Sequence, residues 1–82
     1  MTEQEIRDSF LNALHRVAPD VDIASLDPTG DLREEADLDS VDIVNLVVRL
    51  HETLGVDVPE TDYGEMTTLD RAVTYLTART HG

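Results

Sequence analysis

The chain contains no cysteine and no lysine. The first absence excludes disulfides, thiolate metal sites and any thiol nucleophile supplied by the protein itself. The second leaves six arginines as the only fixed cations against 18 acidic residues, for a net charge of −12. A balance this acidic argues against nucleic acid and anionic lipid as partners, because both attract basic patches. It points instead to basic protein partners reached through long-range attraction, and to a fold strained by its own like charges. Long apolar runs are missing too. Nothing approaches the ~18 residues of a membrane span. The opening segment Met1–Phe10 lacks the basic and apolar parts of a signal peptide, so a cytoplasmic setting is the expectation.

What is present is enough for one folded unit. Hydrophobic residues make up 40% of the 82 positions, too many for a disordered acidic tail. The length predicts a single domain over residues 1–82 that buries roughly 60–65% of its unfolded surface. A deep, enclosed active site is not expected in so small a core.

Helical periodicity organises the chain. Thr2 and Glu5 have the spacing of a capping box, and Ile6, Phe10, Ala13, Leu14 and Val17 then recur on one face. Ala18-Pro19 ends that helix, since proline disfavours the α conformation in the residue before it. A long connection without regular structure is expected from Pro19 to about Asp39, with a turn at Asp27-Pro28-Thr29-Gly30. Val21, Ile23, Leu26, Leu32 and Leu38 are spaced to pin it to the core. The second helix should start with Asp39 as N-cap, run to Leu54 and stop at Gly55. Its core face is Ile43, Leu46, Val47, Leu50 and Leu54. Val41, Val44 and Val48 fall off that arc and make a second apolar stripe, bordered by Asp42, Asn45, His51 and Glu52.

Val56-Asp57-Val58 alternates like a strand without an evident pairing partner. Pro59 opens a short helical turn to about Tyr63. Thr67 with Asp70 is expected to cap a last helix buried through Leu69, Ala72, Val73 and Leu76, and Gly82 closes the chain after an exposed Arg79 and His81. The fold class is all-α: a four-helix bundle of three main helices and one short one, with a long first loop.

Ser40 stands out by its surroundings. It lies at the positive end of a helix, where free backbone N–H groups favour a phosphate. Asp31, Glu34, Glu35, Asp37, Asp39 and Asp42 crowd around it in sequence, and Val41, Val44 and Val48 offer an adjacent docking surface.

With those residues in view, the chain resembles the acyl carrier proteins. The resemblance rests on Ala36-Asp37-Leu38-Asp39-Ser40-Val41-Asp42-Ile43-Val44, the amphipathic stretch to Leu54-Gly55-Val56, and the Thr67-Thr68-Leu69 start of the last helix. The family's Asp-Ser-Leu reads Asp39-Ser40-Val41 here. The resemblance implies a carrier with no catalysis of its own. It implies that a phosphopantetheinyl transferase esterifies Ser40 with 4′-phosphopantetheine from coenzyme A, and that the arm carries acyl groups as thioesters. It further implies docking of acyl-loading and acyl-processing enzymes, through basic patches on their side, to Asp39, Val41, Asp42, Val44, Val48 and Glu52. Three departures from the family's pattern stand on that helix: Val41 in place of Leu or Met, Asn45 in place of Glu, and Arg49 with His51 on a usually acidic face. Fewer carboxylates there weaken steering toward generic fatty-acid enzymes and suggest a dedicated carrier, monomeric, for fatty acid, polyketide or related synthesis.

Other readings fare worse on the residues. A hydrolase built on Ser40 lacks the Gly-x-Ser-x-Gly elbow, and His15 and His51 read as exposed helix residues. The acids from Asp31 to Asp42 do not follow an EF-hand order, so no metal ligands are assigned, although weak cation binding by an acidic interaction module fits the charge. An aminoacyl or peptidyl carrier would share the fold and the serine.

Overall fold

A computed structural model describes residues 2–81, of which His81 without its side chain. The expected end at Gly82 and the exposure of His81 lie outside the described residues.

α1 spans Glu3–Val17 and starts with a reciprocal capping box: the Glu5 N–H donates to Thr2 Oγ1 at 3.1 Å and the Thr2 N–H to Glu5 Oε1 at 2.9 Å. Ile6, Phe10, Ala13 and Leu14 are buried along one face, whereas Val17, expected with them, only flanks the core at the helix end.

The connection to the second long helix has more structure than its sequence pattern predicts. A 3₁₀ turn forms at Ile23–Ser25, and a one-turn helix, α2, at Leu32–Glu35. Two local causes act together at α2. Asp31 caps it by accepting from the Arg33 N–H at 2.9 Å, and Leu32 is fully buried. Leu38 is buried as well, while Val21, Ile23 and Leu26 are half-buried against the core. The turn at 27–30 closes through the Gly30 N–H and the Asp27 carbonyl at 3.0 Å. Its Asp27 N–H donates to Glu35 Oε1 at 3.1 Å, and the Glu35 carboxylate occupies the space a Cβ on Gly30 would need. The Asp70 N–H donates to the Pro28 carbonyl at 3.0 Å and fastens the turn to the start of the last helix. Asp37 then takes φ 54°, a left-handed conformation that Asp tolerates better than most residues.

These carboxylates report how the segment is held. The Thr29 backbone N–H and then its hydroxyl hold Asp27 below the ordinary 3.8, the Arg33 side chain does the same for Asp31, and the Thr2 N–H lowers Glu5 from 4.5. Groups lowered in the native state contribute stability above their unfolded values and lose it as the pH falls through the native ones. Thermal melts in high salt, which screens the −12 charge, should therefore fall off below about pH 4. Replacing Asp27 and Asp31 by Asn should flatten that fall.

α3 spans Ser40–Leu54 and buries Ile43, Leu46, Val47 and Leu50. Leu54, assigned to that face, is half-buried at its last turn. Gly55 closes the helix at φ 70°, where glycine avoids the steric cost of a side chain. Val56 and Val58 are both buried, so the alternation there marks two anchors of an extended connection.

Pro59 precedes a 3₁₀ helix over Glu60–Thr67, longer than the turn expected to end near Tyr63. With three residues per turn, Tyr63 and Met66 share a face; Met66 is fully buried and Tyr63 packs against the core beside it. The element is tied to α4 (Leu69–His81), where the Tyr75 hydroxyl donates to Asp62 Oδ2 at 2.7 Å. Arg79 lies 4.7 Å over the Tyr75 ring and pairs with Asp62 at 3.3 Å. Partial burial, then the bond to Asp62, pushes the Tyr75 phenol above 10.0. The start of α4 corrects the sequence reading by one residue. Thr68, not Thr67, accepts from the Arg71 N–H at 3.2 Å: Thr68 has the extended backbone of a cap, and the Asp70 N–H that Thr67 would have received is bonded to the Pro28 carbonyl. Leu69, Ala72, Val73 and Leu76 are buried as expected.

α1 packs against both α3 and α4, and the Glu60–Thr67 helix closes the remaining side against α3 and α4. The all-α bundle thus has α3 as one wall, with its first turn left at the open end of the crossover.

Candidate functional site

Asp39 is the N-cap of α3 and Ser40 its first helical residue. The Asp42 N–H donates to Asp39 Oδ1 at 2.9 Å, and the Asp39 N–H donates to Asp42 Oδ2 at 3.2 Å. A helix begins with four N–H groups that have no intrahelical acceptor. This box engages the first and the fourth of them. Among the described residues, the amides of Ser40 and Val41 are left without partners. The two acids nearest Ser40 in sequence therefore turn their carboxylates onto the backbone. Asp39→Ala should destabilise the protein by about 1 kcal/mol, seen as a lower Tm without loss of helix content.

The Ser40 side chain is exposed. It borders an open groove of about 410 Å³ lined also by Arg33, Ile43, Val44, Glu60, Tyr63 and Thr67. The pattern along the chain did not indicate Arg33, Tyr63 or Thr67 for this place. They reach it from α2 and the 3₁₀ helix, and only the tertiary fold brings them to α3. Arg33 is held by Asp31 at 2.8 Å, and this pairing raises its already high pKa.

The remaining site residues fall as follows. Val41, Val44 and Val48 are 63%, 42% and 49% exposed, the only large apolar side chains left open among the described residues. Asp42 is half-buried at the head of this stripe and Glu52 is exposed at its far end. Glu52 lies 12 residues beyond Ser40, roughly 18 Å along the axis, so the fold separates it from the serine. Instead it lines the seam between α1 and α3 with Arg16 and Arg49.

The geometry fits a phosphodiester on Ser40. Its hydroxyl is open to another protein, two free amides and the positive end of α3 face the position, and a mostly apolar groove begins beside it. On α3 itself no histidine lies beside the hydroxyl. His15 and His51 are exposed, and His51 is 11 residues from Ser40, roughly 16 Å along the helix. Nor do the acids converge: Asp31 is bound to Arg33, Asp39 and Asp42 to backbone, and no three potential ligands gather among the described residues. Among the described residues, no helix is long and apolar enough to cross a membrane.

Residues 4–76 match the family described as "Phosphopantetheine attachment site". The chain is 30% identical over 73 residues to an acyl carrier protein of Rubrobacter xylanophilus, covering 85% of this chain and 90% of that one. It is 32% identical over 77 residues to those of Lactobacillus johnsonii (93% and 94% covered) and a Picosynechococcus species (94% and 94%). The chain belongs to the phosphopantetheine-attachment family, whose prosthetic group is 4′-phosphopantetheine, held covalently.

Proposed function

We propose that this chain is an acyl carrier whose 4′-phosphopantetheine is esterified to Ser40, and that it serves partner enzymes without catalysing a reaction itself. The observation that carries the assignment to Ser40 is its placement: an exposed hydroxyl at the first residue of α3, next to two unengaged amides. The family match and the acyl carrier relatives support the rest of the reading. When bound, the group supplies a thiol that takes acyl groups, which a chain without cysteine cannot supply.

This chain's residues do the positioning. Asp39 and Asp42 fix the first turn of α3, and with it the direction in which Ser40 points. The amides of Ser40 and Val41 offset the phosphodiester charge. The Val41, Val44 and Val48 stripe is a docking face for transferase and acyl-processing enzymes that present basic residues opposite Asp42 at its head and an apolar contact along it, with Glu52 bordering its far end. The reading takes residues 1–82 as one monomeric carrier unit working in the cytoplasm, in fatty acid, polyketide or related synthesis.

The test is to incubate the protein with coenzyme A and a phosphopantetheinyl transferase and map the product by peptide mass spectrometry. One arm on Ser40 is the expected result. An unmodified chain, or an arm on another residue, overturns the assignment.

A further inference from the structure

Four of the six arginines have a carboxylate partner: Arg7 with Asp70, Arg33 with Asp31, Arg71 with Glu65 and Arg79 with Asp62. Arg16 and Arg49 do not. Among the described residues neither has a carboxylate within 4.0 Å, in a chain with 18 acids. They come from different helices, α1 and α3, yet both line the same two adjoining grooves along the α1–α3 seam, of about 390 and 350 Å³. One groove continues onto the exposed stripe through Asn45 and Val48. Glu52 sits at the same rim without closing on either guanidinium. The result is a positive spot on an acidic molecule, beside its open apolar residues.

We infer that the α1–α3 seam is a docking subsite for a partner protein that inserts a carboxylate side chain between Arg16 and Arg49 while its apolar residue covers Val48. Charge complementarity selects that occupant. Two unpaired guanidinium groups present several donors in fork geometry, suited to a carboxylate, and a basic partner residue would be repelled at this spot while being attracted around Asp42. The partner's footprint is therefore of mixed sign: basic opposite the start of α3 and acidic opposite its second half. Such alternation fixes the direction in which a partner lies along α3 and rejects enzymes that are basic throughout. The inference rests on the carrier reading for the existence of partner enzymes. The contact itself needs no arm, so the test uses unmodified protein, and its outcome is distinct from that of arm attachment.

The probe is a helical peptide of about 15 residues with two Glu one turn apart beside a Leu, and a counterpart with Lys in place of Glu. Each is titrated into ¹⁵N-labelled protein at physiological salt, where the overall charge is largely screened. The Glu peptide is expected to shift the amides of Asn12, Arg16, Asn45 and Arg49, and the Lys peptide those around Asp39 and Asp42. Arg16→Glu with Arg49→Glu should weaken the Glu peptide roughly tenfold or more and leave the Lys peptide bound. Arg49→Gln, a milder change, should give a smaller loss in the same direction and guards against misfolding of the double variant. Four results overturn the inference: no seam shifts, shifts unchanged in the variants, equal shifts with inorganic phosphate at the same concentration, or seam shifts that follow protein concentration alone. The third would make the seam a small-anion site and the fourth a contact between copies.

Discussion

Ser40→Ala is expected to abolish arm attachment completely while leaving Tm within a degree or two of the parent. Both halves follow from where the side chain is. Ser40 is exposed and its hydroxyl makes no hydrogen bond among the described residues, so removing one oxygen from a first-turn position disturbs no packing. The helix start survives because the Asp39–Asp42 capping box acts through the neighbours of Ser40. Intact mass after incubation with coenzyme A and transferase reads the first half, and a thermal melt followed by circular dichroism reads the second. An arm still attached to the alanine variant would move the site elsewhere. A collapse in Tm would show that the hydroxyl is structural, and the loss of modification could then be a folding effect. Ser40→Thr keeps an oxygen at the site and separates access from chemistry: slower modification with an unchanged melt is the expected outcome.

Much of this site was legible because its signals are local. An N-cap, the residue after it and an acid three positions on lie within one helical turn, so Asp39, Ser40 and Asp42 could be placed from spacing alone. The reciprocal bond from the Asp39 amide to Asp42 was not anticipated, since Asp42 entered only as one of the acids near Ser40 and as a docking residue bordering the valine stripe. The two stripes of α3 were legible for a similar reason: a fixed 100° per residue separates Leu46 from Val44 whatever packs against them. The groove was not. Arg33 and Tyr63 are 7 and 23 residues from Ser40, and no periodicity links a residue in one helix to a residue in a 3₁₀ turn far along the chain. At α2 the crossover was read by its turn signals, whereas an Asp cap and one buried leucine sufficed to wind a turn. At Thr67 and Thr68 the spacing to Asp70 favoured the wrong neighbour. Which threonine caps was decided by the Pro28 carbonyl, which takes the Asp70 N–H that Thr67 would have received. The Arg16–Arg49 pairing at the seam is likewise tertiary, although the interruption of an acidic helix face by Arg49 was visible in the sequence.

The second large effect separates fold from function on one helix. Leu46 is fully buried and Val44 is 42% exposed, two residues apart in α3. Leu46→Asp buries a carboxylate with no cation or donor to receive it and removes a core side chain. The cost exceeds about 4 kcal/mol, a large part of the whole stability of a domain this size. That variant should be unfolded or nearly so at 25 °C by circular dichroism, and its failure to accept an arm would carry no information about docking. Val44→Asp should cost less than about 1 kcal/mol, because solvent receives the new charge. Its effect belongs to transfer, with kcat/KM for arm attachment expected to fall tenfold or more. The sign of that effect discriminates between two accounts of docking. If attraction between an acidic carrier and a basic partner governed the encounter, one more carboxylate beside Ser40 would speed transfer. A slower reaction, reproduced by the uncharged Val44→Ser and insensitive to salt relative to the parent, assigns the contact to apolar burial of the Val41, Val44 and Val48 stripe. A faster one would make the valines bystanders and leave the acids around them as the docking determinant.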